Sequence, residues 1–466
     1  MDLMFLHRRR FLAGIVVLLF GLPQQARGEA GWKAGAARVG ITPDEPMWMA
    51  GYASRTQPAA GKYSDLWVKA LVLEDSGGRR AALLSFDLVG IDRELAAAIC
   101  SRLEDRFALA RRQVALCFTH THSGPVVGRN LEPLHYRQLD AEQRAMVDRY
   151  AERLQQDVVA CVGRAMDDLA PATLHWGVGA AAFAVNRRNN PAAEVPALRE
   201  QGALRGPHDH DVPVLAVRTA GGRLKAVAFG YACHATVLSD LMWCGDYPGY
   251  AEEALRERYP DCIALFWAGC GADQNPLPRR ELELARDYGR QLAGAVCEVL
   301  AGAMEPLPAR LGAAFGEVPL KLDELPGADH WRQAAESDNR YERARAAMFL
   351  ERIDAGQPIP DTYPYGVGVW VLGDQVEWVF LGGEVVVDYA LRLKAERGGR
   401  RTWVAGFSND VMAYIPSRRV LEEGGYEGRT AMLYYGLPAA WAPEVEETVV
   451  EAVRAVAAEA GKQPQQ

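Results

Sequence analysis

Three stretches of the chain share one arrangement of apolar and polar positions. Residues 69–90 (KALVLEDSGGRRAALLSFDLVG), 213–236 (PVLAVRTAGGRLKAVAFGYACHAT) and 368–387 (GVWVLGDQVEWVFLGGEVVV) each run apolar, break at a Gly- or Asp-containing turn, and run apolar again. That pattern predicts a β-hairpin. Helical spacing follows each one, at 93–107, 247–260 and 388–398. Then comes a short apolar strand, RRQVALCF, CIALFWAG or RTWVAGF, and a polar loop, THTHSGP, CGADQNP or SNDVMAYIPSR. The expected fold class is therefore α/β: mixed β-sheets flanked by helices, built from three hairpin–helix–strand pseudo-repeats. The strand after each helix is expected at an edge of the same sheet, where sites of open α/β sheets gather.

Between these units the spacing predicts a long helix from Ala141 to Met166, a charged helix around Trp331 to Ile353, and an Ala/Glu/Val helix over 443–460. Residues 180–211 read as loop. No linker interrupts the pattern, so residues 29–466 are expected to form one domain. Residues 1–28 are separate. His7-Arg8-Arg9-Arg10-Phe11-Leu12 is a basic stretch, Ala13 to Leu22 is apolar, and small residues follow at Ala26 and Gly28. This is the pattern of an export signal, with an Arg-Arg-x-Phe-Leu run that resembles the twin-arginine type. A periplasmic or extracellular location is the corresponding expectation.

The formal charge of −8 and the lack of a basic cluster beyond the N-terminus argue against nucleic acid as a partner. None of the eight cysteines forms a C-x-x-C pair, which argues against a thiolate zinc site. Most sit in apolar runs and read as small core residues.

The chemistry gathers where the apolar runs stop. His120 and His122 follow Val114-Ala115-Leu116-Cys117-Phe118, and strand alternation would point both imidazoles the same way. His234 ends the second hairpin and Glu384 the third. A carboxylate at the end of a buried strand needs a partner. Two imidazoles and a carboxylate form a known catalytic zinc set that leaves a place for water. Asp87 and Asp273 are candidates either for orienting the ligand imidazoles or for capping helices. His208 and His210, in GPHDHD, read as part of a polar loop rather than a second metal site.

Taken in order, Gly40-Ile41-Thr42-Pro43, Met49-Ala50-Gly51-Tyr52-Ala53, THTHSGP, Ala232-Cys233-His234-Ala235-Thr236, Asp246-Tyr247-Pro248-Gly249-Tyr250, Gly383-Glu384, Tyr414 and Gly425-Tyr426-Glu427-Gly428 resemble the neutral (alkaline, non-lysosomal) ceramidase family. The resemblance runs from about Trp32 through nearly all of the chain. It implies one Zn2+ held by His120, His234, Glu384 and Tyr414, and hydrolysis of the N-acyl bond of ceramide. It places His122 and Tyr426 beside the scissile carbonyl and Arg187 in the same pocket. An N-acyl lipid or amide is the implied partner, drawn from a membrane surface if it is a lipid.

The chain departs from the family pattern in two ways. Asn275, in Ala272-Asp273-Gln274-Asn275-Pro276, stands where the family has a serine, and an amide cannot attack a carbonyl. Hydrolysis is therefore expected to rest on zinc-bound hydroxide rather than an acyl-serine. No strand-rich stretch follows the catalytic-type region to form the family's C-terminal β-sandwich. Two alternatives stay open: a zinc esterase or amidase acting on a non-sphingolipid substrate, and a zinc-containing binding protein whose catalysis has decayed.

Overall fold

The structure, a computed structural model, describes residues 31–462. The export signal expected at 1–28 lies outside them. A nine-stranded mixed sheet runs in the order Ile263–Ala268, Leu224–Tyr231, Asp211–Thr219, Ala170–Ala180, Trp32–Gly40, Trp67–Glu74, Arg80–Phe86, Val114–Phe118, with Glu305–Leu307 paired to Ala170–Ala180. A four-stranded sheet orders Leu311–Lys321, Thr362–Leu372, Val376–Leu381 and Thr402–Ala405.

Each expected hairpin pairs antiparallel. Beyond each following helix (Arg93–Phe107, Asp246–Arg258, Val387–Glu396), the next strand pairs parallel with the hairpin's second strand. The first two units lie in the large sheet and end at its opposite edges. The third lies in the smaller sheet, which corrects the expectation of one shared sheet.

Stacking of the two sheets explains why these strands are apolar on both faces. Along Ile263–Ala268, Leu265 and Trp267 face the second sheet while Phe266 and Ala268 face the main core. Along Val376–Leu381, Trp378 and Phe380 face one way, and Val379 and Leu381 the other. The seam between the sheets is aromatic: Trp378 packs against Trp267 at 5.4 Å and against Trp403 at 5.2 Å between ring centroids. Helix Ala141–Asp167 covers the large sheet, and Val445–Gly461 covers the small one. Asp140 caps the former by accepting from the Gln143 N–H at 2.9 Å.

Two segments differ from expectation. The charged helix around Trp331 to Ile353 is two helices, Ala328–Ala334 and Arg340–Asp354, because Asn339 starts a second one by accepting from the Tyr341 N–H. The expected loop at 180–211 contains strand Ala184–Asn186 and helix Val195–Glu200. That strand pairs antiparallel with Gln274–Pro276 and so brings Arg187 next to Asn275. All eight cysteines are free thiols, seven of them buried. No helix of the described residues is long and apolar enough to cross a membrane.

Candidate metal centre

The four strand ends that carry chemistry converge where the two sheets meet. The first strand stops at Phe118, and His120 then takes φ +58°, in the left-handed region that non-glycine residues rarely adopt. The turn at His120, rather than alternation along a strand, brings its Nε2 within 3.2 Å of His122 Nε2. His234 lies across from them, and the His120, His122 and His234 ligand atoms all fall within 4.8 Å of one another. Glu384 Oε2 is 3.1 Å from His234 Nε2 and 3.5 Å from His120 Nε2. Glu384 is directly alongside Tyr414, because Glu384–Val385 and Tyr414–Ile415 pair as parallel strands.

Backbone carbonyls set the state of two rings. His120 Nδ1 is 2.6 Å from the Val89 carbonyl and His234 Nδ1 is 2.8 Å from that of Gly271. A carbonyl only accepts, so each ring carries its proton on Nδ1 and presents an Nε2 lone pair to the centre. Burial lowers His234 to about 4, which keeps it neutral. Glu384 Oε1 accepts from the Tyr435 hydroxyl, as an ionised carboxylate does. Two lone pairs therefore face an ionised oxygen with no proton between them. Such an acceptor-only cluster is costly by itself and fits a divalent cation.

His122 differs from the other two histidines. Its Nδ1 is buried with no partner, and burial together with the two neighbouring imidazoles holds it well below its ordinary value. Gly51 makes room for it: at φ +96°, a Cβ there would sit 2.4 Å from the His122 ring. Tyr52 packs edge-on against the same ring at 4.7 Å, and Phe407 packs on His120 at 4.3 Å.

Arg187 lies behind Tyr414. It donates from Nε to Glu427 Oε1 at 2.7 Å, from Nη2 to the Tyr414 hydroxyl at 3.2 Å and from Nη1 to Asn275 Oδ1 at 3.4 Å. Glu427 also accepts from Arg188 at 2.6 Å. Tyr426 is half-exposed, 5.3 Å from the Tyr414 ring, at the rim of a cavity of ≈ 490 Å³ shared with Arg187, Asn275 and Arg279. The structure thus brings His120, His122, His234, Glu384 and Tyr414 together. Arg187 and Asn275 join through Tyr414, and Tyr426 stands at the rim.

The two aspartates orient no ligand imidazole, since backbone carbonyls do that. Asp87 is paired with Lys69 at 3.1 Å, and Asp273 accepts from the Val387 N–H at 3.0 Å at the start of a helix. His208 and His210 stack on each other at 4.1 Å, and His210 Nε2 lies 3.0 Å from the Ala184 carbonyl.

Sequence reasoning missed Tyr435, whose hydroxyl donates to Glu384 Oε1. It also gave no role to Glu427, although that residue lies inside the quoted Gly425–Gly428 run. Tyr52 was likewise visible in its motif, but nothing in the sequence places it on His122.

Residues 32–261 match the family model described as neutral/alkaline non-lysosomal ceramidase, N-terminal. The sequence is 28% identical over 239 residues to neutral ceramidase of Drosophila melanogaster, covering 49% of this chain and 33% of that one. It is 26% identical over 246 residues to neutral ceramidase of Pseudomonas aeruginosa, covering 52% and 36%. The alignments therefore span about a third of these curated relatives' length. The crystal structure of neutral ceramidase from Pseudomonas aeruginosa superposes with a TM-score of 0.72 at 18% identity, over 94% of this chain and 76% of that one. A ceramidase complexed with C2 gives 0.71, also at 18%, over 94% and 77%. Residues 32–261 thus carry the sequence pattern of the neutral/alkaline non-lysosomal ceramidase family, and the chain shares its fold with neutral ceramidase over 94% of its length.

Proposed function

We propose that the chain is an exported, zinc-dependent amide hydrolase that cleaves the N-acyl bond of ceramide or of a related N-acyl lipid or amine. The acceptor-only cluster carries this reading: two Nε2 lone pairs and a carboxylate oxygen converge without a shared proton. His120, His234 and Glu384 would hold one ion per chain, with Tyr414 as the fourth ligand. Imidazole and carboxylate donors suit zinc. When bound, zinc supplies Lewis acidity, polarising a carbonyl and acidifying water.

The remaining work falls to the protein's own groups. His122 turns its Nε2 toward the cluster, 3.2 Å from His120 Nε2, and donates from it to the carbonyl oxygen as negative charge develops there. Tyr426 donates from the rim. Arg187, anchored by Glu427, holds the Tyr414 phenol in place through its 3.2 Å bond. Asn275 positions substrate by hydrogen bonding, so water rather than a side-chain hydroxyl is the nucleophile. A lipid substrate would enter from a membrane surface.

Metal analysis with an activity panel tests this. Purified protein should hold one zinc per chain, lost in a His120→Ala/Glu384→Ala double variant, and should release fatty acid from N-acyl substrates. Zinc retained by the double variant would refute the site. Asn275 favours one other reading, a zinc-containing binding protein. Bound zinc without turnover of any amide or ester would establish that reading instead.

A further inference from the structure

The cavity beside the metal centre is cationic beyond what its own carboxylates balance. Arg187 and Arg188 share Glu427. Arg279 lines the same cavity and donates to the Thr236 hydroxyl at 3.2 Å, two residues from His234. Its neighbour Arg280 donates to the Tyr52 hydroxyl at 2.8 Å, and its guanidinium lies 4.9 Å from the Tyr52 ring. Arg55 lies 4.9 Å from the same ring and is buried, with no partner for its Nε. Among the described residues, no carboxylate lies within 4.0 Å of Arg55, Arg279 or Arg280.

These unpaired charges are held against physical resistance. Burial lowers the Arg279 guanidinium, with Arg280 and Arg187 adding repulsion, and burial lowers Arg55 to about 10. The backbone at Arg280 takes φ +95°, a conformation unfavourable for a long side chain, while its N–H bonds the Val237 carbonyl at 2.7 Å. Guanidiniums gathered at the cavity and around Tyr52, with Asp240 and Asp246 acting on them but neither in ion-pair contact, fit an anion supplied from outside. Tyr52 links the group to the reaction centre, since its hydroxyl meets Arg280 while its ring packs on His122.

Building on the hydrolase reading, we propose that the substrate carries a carboxylate on the amine side of its amide, as an N-acyl amino acid does, and that Arg279 and Arg280 bind it. A neutral sphingoid head group would leave both guanidiniums unpaired.

Two measurements test the substrate class and the hydrolase reading separately. The first compares binding of dodecylsulfonyl-glycine with that of dodecylsulfonyl-ethanolamine by calorimetry. These differ by carboxylate against hydroxymethyl, and their sulfonamides resist hydrolysis. The carboxylate should bind at least tenfold more tightly, and the ratio should fall to within threefold in an Arg279→Gln/Arg280→Gln variant. Raising salt should weaken the preference in the unaltered protein. Equal binding of the two compounds, or a preference that survives the double substitution, overturns the proposal. The second measures kcat/KM for N-lauroylglycine against N-lauroylethanolamine, with the same ordering expected. Binding preference with no turnover of either amide would leave the anion site standing and refute the hydrolase reading.

Discussion

Replacing Tyr435 with phenylalanine removes one oxygen and leaves the ring in place. That oxygen donates to Glu384 Oε1, while the other carboxylate oxygen faces His120 and His234. A hydrogen bond to a charged group contributes about 1.5–3 kcal/mol. At about 1.4 kcal/mol per tenfold, its loss should weaken zinc binding on the order of 10- to 150-fold, in the range usual for groups that orient a metal ligand. Chelator competition gives the zinc dissociation constants of both proteins, and urea titration of the zinc-free forms controls for stability. Affinity within threefold of the unaltered protein would refute the assignment of Tyr435 as the group that orients Glu384.

Three further outcomes follow from the packing and charge. Gly51→Ala drives a Cβ into the His122 ring and should lower kcat/KM about 100-fold or more, whereas Gly222→Ala, also at positive φ but with nothing within 4 Å, should leave it unchanged. Trp378→Ala opens the seam between the sheets and should cost about 3–5 kcal/mol in urea unfolding. Burial raises the Asp246 carboxyl to about 6, against opposing N–H donors from Leu238, Tyr247 and Val237. The folded state then binds this proton more tightly than the unfolded chain does, so the group's contribution to stability falls as pH rises from about 4 to 6, by roughly 3 kcal/mol in total. In Asp246→Asn that part of the pH slope should disappear; an unchanged slope would place the titration elsewhere.

The hairpins, the helices after them and the strands beyond were legible because turn glycines and apolar periodicity are local signals. Sheet membership was not. Val376–Leu381 and Ile263–Ala268 are both apolar on two faces, and nothing in either run says that Trp378 and Trp267 meet across a seam between separate sheets. At the site, His120, His234 and Glu384 could be read from where the apolar runs stop. How His120 and His122 meet could not, because it depends on a left-handed backbone at His120. Tyr435 has no motif around it, and its link to Glu384 spans 51 residues. Glu427 serves arginines 240 and 239 positions away, a tertiary relation that no window of sequence contains.

The segment from Gly406 to Asn409 has no regular secondary structure, yet its backbone stitches both sheets. The Phe118 N–H donates to the Phe407 carbonyl at 3.1 Å and the Asn409 N–H to that of Leu116 at 2.7 Å. Phe407 and Ser408 donate to the Gly383 and Leu381 carbonyls, at 2.9 and 3.0 Å. A stretch held in this way opens only when the sheets part. Its amides should therefore exchange with solvent deuterium as slowly as those of the central strands, placing this loop in the last cooperative unit to open rather than with the mobile surface.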